Sequence, residues 1–221
     1  MILDVGSGCQ TVNFYIGSTT TTRQWNIYVT QYTCGQEDLG GPPGCLQYHT
    51  ATTGLLKNFG YPSSNSNSAT DASTTHLQNQ MYQVCIRRAS GYCYICYAAW
   101  NSIAASGSFG LSKPAANASN ASQGTACTDD YVTIPQGTTS TIAATTTPAV
   151  SKDTKYCGRA LSIAVGTAHA SVCSRTYPFR FGVVTDDSED CTDADDASAC
   201  ETDNVPGGIV GFAVGFEQMS C

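Results

Sequence analysis

Charge is scarce in this chain. Only 12% of its 221 residues are Asp, Glu, Lys or Arg, and 10 Lys plus Arg stand against 17 Asp plus Glu. The net charge of −7 argues against nucleic acid, because no basic run is present to neutralise phosphates. It argues equally against an anionic membrane surface. Long apolar runs are missing too: nothing approaches the roughly 20 residues that span a bilayer. Residues 1–20 have neither the basic start nor the apolar core of a signal peptide, so Met1 reads as an internal methionine or as following a leader not included here. No long amphipathic helical pattern occurs. Cysteine pairs at metal-ligand spacing are nearly absent, which disfavours a zinc site.

Cysteine itself is plentiful. Twelve residues, an even number, are spread along the chain, which predicts disulfides and an oxidising compartment. Ser and Thr together number 50, so hydroxyls rather than charges solvate the surface. That suits a secreted protein that is glycosylated or packed against copies of itself.

The hydrophobic pattern has period two, the signature of half-buried strands. Trp25, Ile27 and Val29 alternate with Asn26, Tyr28 and Thr30, and the same rhythm runs through Phe179, Phe181 and Val183 and through Phe212, Val214 and Phe216. Gly, Pro, Asn and Ser clusters such as 40–44 and 63–68 punctuate these runs. The expected fold is an all-β antiparallel sandwich rich in disulfides. Residues 63–75 and 136–151 read as polar, Ser- and Thr-rich loops, candidates for O-glycosylation. Met1–Gly6, Val12–Gly17 and Gln24–Thr30 read as two or three strands with no partner sheet upstream.

Several groups invite chemistry. Between Asp186 and Asp203 lie nine carboxylates and no basic residue, hard oxygen donors suited to Ca²⁺ or a solvated loop clipped by Cys191 and Cys200. Cys93 and Cys96 are three apart in an apparent strand, 92–97, so they face opposite ways and need separate partners; with no βαβ context, Cys93-Tyr94-Ile95-Cys96 is not a thioredoxin-type site. Thr167-Ala168-His169-Ala170 has the look of a protease histidine motif, but the Gly-Asp-Ser-Gly-Gly nucleophile loop is missing and no triad can be assembled. His49 and His76 are far apart in sequence and lack ligand spacing. No catalytic residue is found, and an enzyme is not expected. Asn117-Ala118-Ser119 and Asn120-Ala121-Ser122 are N-glycosylation acceptors. Tyr92, Tyr94 and Tyr97 crowd one strand, as interface anchors or as core residues.

An ordered series of signposts runs through the chain: Gly44-Cys45-Leu46-Gln47-Tyr48, Gly54, Gly60-Tyr61-Pro62, Cys85, Cys127-Thr128-Asp129-Asp130-Tyr131-Val132, Tyr156-Cys157-Gly158, Pro178-Phe179-Arg180-Phe181, Val184-Thr185-Asp186 and Gly211-Phe212. It resembles a CUB domain, closest to the divergent tandem CUB-like secreted proteins of arthropods. The resemblance implies a jelly-roll type sandwich and the pairs Cys45–Cys85 and Cys127–Cys157. It also implies a Ca²⁺ site at Asp130 and Asp186, although Ser112 stands where the family places a glutamate ligand. Calcium is thus a candidate ion and no cofactor is required. Residues 34–221 would form the CUB-like domain, its ends closed by Cys34 and Cys221, and residues 1–33 would be the closing strands of a preceding, incomplete one. Cys9 would pair outside the chain.

CUB domains generally recognise extracellular proteins or carbohydrates. The resemblance therefore implies a secreted, non-enzymatic binding module for an extracellular protein or glycan. Two alternatives are a structural subunit of a matrix, coat or filament, self-associating through residues 1–33 by strand addition, and the non-catalytic region of a larger secreted protease.

Overall fold

Alternation along the strands becomes two facing sheets. The structure is a computed structural model that describes residues 6, 8–13, 24–33, 35–61, 76–100, 108–111, 121–139, 154–187 and 211–221. A four-residue helix, Glu37–Gly40, precedes twelve strands: β1 (Gln47–His49), β2 (Thr53–Lys57), β3 (Met81–Ile86), β4 (Tyr92–Ala99), β5 (Phe109–Gly110), β6 (Ala121–Gln123), β7 (Tyr131–Thr133), β8 (Thr138–Thr139), β9 (Lys155–Gly158), β10 (Val172–Ser174), β11 (Phe179–Val184) and β12 (Gly211–Ser220). One sheet runs β1-β3-β11-β7-β9-β6. The other runs β2-β12-β4-β10-β8, with β5 pairing the start of β12. Every pairing is antiparallel except β1 with β3, which is parallel. The expected antiparallel sandwich is present, with that one strand as its exception.

The two sheets bury a single apolar layer between them. Phe179, Phe181 and Val183 of β11 meet Phe212, Val214 and Phe216 of β12, together with Leu56, Ile95, Tyr97 and Tyr156. Ring contacts knit the layer: Phe181 lies 5.3 Å from both Tyr97 and Phe212. Each such side chain contributes about 1.5–3 kcal/mol on leaving water. Tyr97 thus belongs to the core; its burial raises the phenol well above the ordinary tyrosine value. Tyr92 and Tyr94 remain half-exposed. Gly54 of β2 sits opposite Phe216, and a Cβ there would come within 2.5 Å of the ring, so the sheet tolerates only glycine at that point.

Four disulfides are present among the described residues. Cys45–Cys85 and Cys127–Cys157 are formed. Cys93 and Cys96 take separate partners, Cys221 and Cys173. The Cys34–Cys221 closure is therefore corrected. β12 pairs antiparallel with β4 so that Ser220 lies opposite Tyr92, and Cys221 consequently arrives beside Cys93, 4.9 Å away at Cα. Cys9 is exposed and outside any disulfide, while Cys34, Cys191 and Cys200 lie outside the described residues.

Two further expectations change. Residues 24–33 form no strand and are exposed throughout; apolar alternation does not by itself supply the backbone partners a strand needs. Most of Met1–Gly6 and Val12–Gly17 lies outside the described residues, as do 63–75. Within 136–151, Thr138–Thr139 is an edge strand rather than loop, paired with β10 and held by Thr138 Oγ1 donating to the Cys173 carbonyl at 3.2 Å.

Non-reducing peptide mapping should recover the Cys93–Cys221 and Cys96–Cys173 crosslinks; a Cys34–Cys221 peptide would contradict this topology. Replacing both Cys93 and Cys221 with Ala opens a loop of sequence separation 128 and should cost about 2–5 kcal/mol in a urea titration.

Candidate functional site

Three strand ends converge at one pole of the sandwich. The registers of β3, β11 and β7 set Val184 opposite both Met81 and Tyr131. The residues just outside those pairs, Gln80, Thr185, Asp186 and Asp130, are thereby gathered into one cluster. Thr185 locks it: its Oγ1 donates to the Leu77 carbonyl and accepts from the Gln80 N–H, both at 2.9 Å. The Thr185 N–H donates to the Gln80 carbonyl at 2.8 Å. Asn79 makes the turn with φ of +54°, a left-handed conformation that asparagine accepts more readily than most residues.

This lock presents His76 to Asp130. Asp130 is 0% exposed and His76 5%, and Nε2 of the ring lies 3.0 Å from Oδ2 of the carboxylate. The other carboxylate oxygen, Oδ1, accepts the Asp186 N–H at 3.1 Å. Nδ1 of His76 faces the Leu77 carbonyl at 3.3 Å. The Nε2–Oδ2 contact is close, but its geometry is not that of a hydrogen bond. A carboxylate buried this deeply needs an opposite charge and hydrogen bonds to offset its lost hydration.

Beside the pair lies a shallow pocket lined by His76, Asn58, Phe59, Leu77, Gln80 and Tyr82, among others. Phe59 and Leu77 are exposed at its rim and neighbouring Met81 is 88% exposed. Phe59 and Tyr82 pack ring to ring at 5.9 Å, and burial pushes the Tyr82 phenol up to about 12. The opposite wall is fixed by Asn58, whose Oδ1 accepts the Phe212 N–H at 2.7 Å. Gly211 allows that contact, since φ there is +97° and a Cβ would collide with the Asn58 side chain.

Of the expected calcium ligands, Asp130 and Asp186 are brought together, but through the Asp186 backbone. Among the described residues no cluster of three His, Cys, Asp or Glu side chains is positioned to hold a metal, and a ring nitrogen stands where an ion would approach Oδ2 of Asp130. Ser112, Asn117, Asn120 and the acidic stretch beyond Asp187 lie outside the described residues. Ser122, the hydroxyl residue of the second glycosylation acceptor, is buried in β6.

The other histidines are structural. His169 Nδ1 accepts the Leu161 N–H at 3.2 Å, and the His49 ring packs edge-on against Phe216 at 5.5 Å. His76 was set aside in the sequence for want of ligand spacing. Its partner lies far along the chain on another strand, and no spacing rule reaches across that distance.

A family model described as animal CUB domain matches residues 42–219. Among solved structures, the CUB1-EGF-CUB2 domains of rat MASP-1 align at 12% identity with a TM-score of 0.40, covering 78% of this chain and 42% of that one. This chain thus spans less than half of that structure. A search of curated proteins returned no match.

His76→Ala leaves the Asp130 charge buried without its partner and should lower unfolding stability by about 3–5 kcal/mol. Replacing His76 and Asp130 together with Leu should recover much of that loss; a single variant costing nothing would show that the pair does not hold the pole. Burial holds His169 and His49 below the ordinary histidine range. As pH falls through about 6.5, the unfolded chain binds protons that the folded histidines resist, so stability falls. His169→Gln should make that decline shallower in melting scans between pH 8 and pH 5.

Proposed function

This chain belongs to the animal CUB domain family, and on that footing we propose that it is a secreted, non-enzymatic module that recognises an extracellular protein. CUB domains are typically extracellular protein-interaction modules without catalysis of their own. The observation that carries the reading is a pocket at the strand-end pole with Phe59 and Leu77 exposed along it, beside the exposed Met81 at the start of β3. Apolar side chains left exposed together beside a concavity suit a protein interface. Four disulfides support an oxidising, extracellular setting.

In this reading the His76–Asp130 contact and the Thr185 lock hold the pole, and the domain folds and binds without calcium. Glycosylation at Asn117 or Asn120 and a tandem arrangement, with residues 1–33 closing a preceding unit, belong to the same proposal. The exposure of Ile27, Tyr28 and Val29 supports the tandem arrangement, since such a segment is stable only against another sheet.

A photo-crosslinker placed at Met81 of the secreted chain tests the module. Enrichment of one extracellular protein there, absent from a crosslinker at exposed Val165 and abolished by Phe59→Asp, supports it; equal labelling at both sites counts against it. Calcium is checked separately. Adding a chelator should leave the melting temperature unchanged, and a fall on chelation would restore the ion to Asp130.

A further inference from the structure

The pole opposite the pocket gathers arginine. Four of the chain's six arginines lie there: Arg87 and Arg88 follow β3, and Arg175 and Arg180 flank the start of β11. No basic run marks them in the sequence because separate turns contribute them. Ile86 stands opposite Phe179, which carries Arg88 to Tyr177. Ser174 stands opposite Ile95, which carries Arg175 to Tyr94. The Arg88 guanidinium lies 4.8 Å from the Tyr177 ring centre, and that of Arg175 lies 5.5 Å from the Tyr94 ring centre. Arg88, Arg175 and Tyr177 are exposed and Tyr94 is half-buried.

Both turns are clamped. Gln218, buried in β12, accepts the Ala89 N–H at 2.8 Å and donates to the Arg87 carbonyl at 2.8 Å and the Ala51 carbonyl at 3.1 Å. The Cys93–Cys221 disulfide and the Cys221 N–H, which donates to the Gly91 carbonyl at 3.1 Å, close the same turn. On the other side Ser174 Oγ donates to the Pro135 carbonyl and accepts the Thr176 N–H at 3.2 Å. The arginine backbones are thus fixed before a ligand arrives, and the neighbouring rings restrain the side chains. Neither Arg88 nor Arg175 has a hydrogen bond or ion pair among the described residues.

Little nearby offsets this charge among the described carboxylate side chains. Asp129, Asp130, Asp186 and Asp187 lie at the far ends of β7 and β11, and Glu217 is on β12 opposite Cys96. The six residues of β11 span about 20 Å. That is more than twice the Debye length of about 8 Å at physiological salt, so those four aspartates leave the arginine pole basic.

We propose that this pole binds a sulfated polysaccharide, with Arg88 and Arg175 as its principal contacts. The planar fork of arginine holds an oxyanion through two parallel N–H bonds. Each exposed contact is weak alone, but a chain with an anion on successive sugars engages both arginines together and gains by multivalency. A protein interface takes its core from apolar area, whereas the exposed aromatic here, Tyr177, is itself faced by an arginine. The proposal shares the extracellular setting with the recognition module but not its surface: failure here leaves the Met81 crosslinking result untouched.

Chromatography of the whole chain on immobilised heparin tests it. The protein should be retained at about 0.05 M salt and elute by about 1 M, where the Debye length is only about 3 Å. Arg88→Ala with Arg175→Ala should bind about tenfold more weakly at an unchanged melting temperature. Lys57→Ala with Lys155→Ala removes the same charge elsewhere and should bind as the wild type does. Arg88→Lys with Arg175→Lys keeps the charge but loses the fork, and should recover only part of the loss. If the alanine variant does not fold, modification of the wild type with an arginine-specific dicarbonyl decides: heparin should protect Arg88 and Arg175. No retention at low salt, retention that survives the alanine changes, or unprotected arginines overturns the proposal. Equal retention on polyglutamate overturns it in favour of an acidic protein, and equal binding to phosphatidylserine vesicles in favour of a membrane surface.

Discussion

The pairing of β3 with β11, from Phe179 opposite Ile86 to Val184 opposite Met81, is the constraint on which both ends of this molecule depend. Side-chain direction in a strand has period two, so this register places Phe179, Phe181 and Val183 in the core and leaves Arg180 outside. A slip of one residue would turn the aromatic face outward and bury the arginine. It would also part Thr185 from Gln80, and with it the hydrogen bonds that aim His76 at Asp130. Core packing and polar placement at the pole are two readings of one alignment.

That alignment also sets the polar pole. Asp130, just before β7, is fully buried; its Oδ1 accepts the Asp186 N–H at 3.1 Å and its Oδ2 lies 3.0 Å from Nε2 of His76. Buried polar groups keep such geometry only while the strands that carry them stay in register, so the placement of His76 follows from the Thr185 lock.

The architecture was legible in the residues because it rests on local regularities. Alternation at 179–184 and 212–216 led to the sandwich, and the family resemblance carried by the cysteine signposts implied two of the disulfides. Cys93 and Cys96 could be separated by strand geometry alone. What failed to show was whatever depends on which strands meet. The Cys93–Cys221 bridge follows from the β4–β12 register, and β8 follows from an edge left open by β10. The alternating segment 24–30 has the pattern of a strand but forms none. At the candidate site Asp130 and Asp186 were visible through the resemblance, while His76 was not, because its role exists only once β3 and β7 flank β11.

The four disulfides also have a consequence for the chain once it is cut. The stretch 63–75 is bridged by Cys45–Cys85, and 112–120 by Cys96–Cys173. Cys127–Cys157 bridges 140–153, and Cys93–Cys221 bridges the acidic stretch up to 210. A single proteolytic nick in any of these connections leaves two pieces still joined by covalent bonds across the sheets. The domain is wired as a mesh rather than a thread, so a nicked molecule keeps its outline and separates into fragments only after reduction.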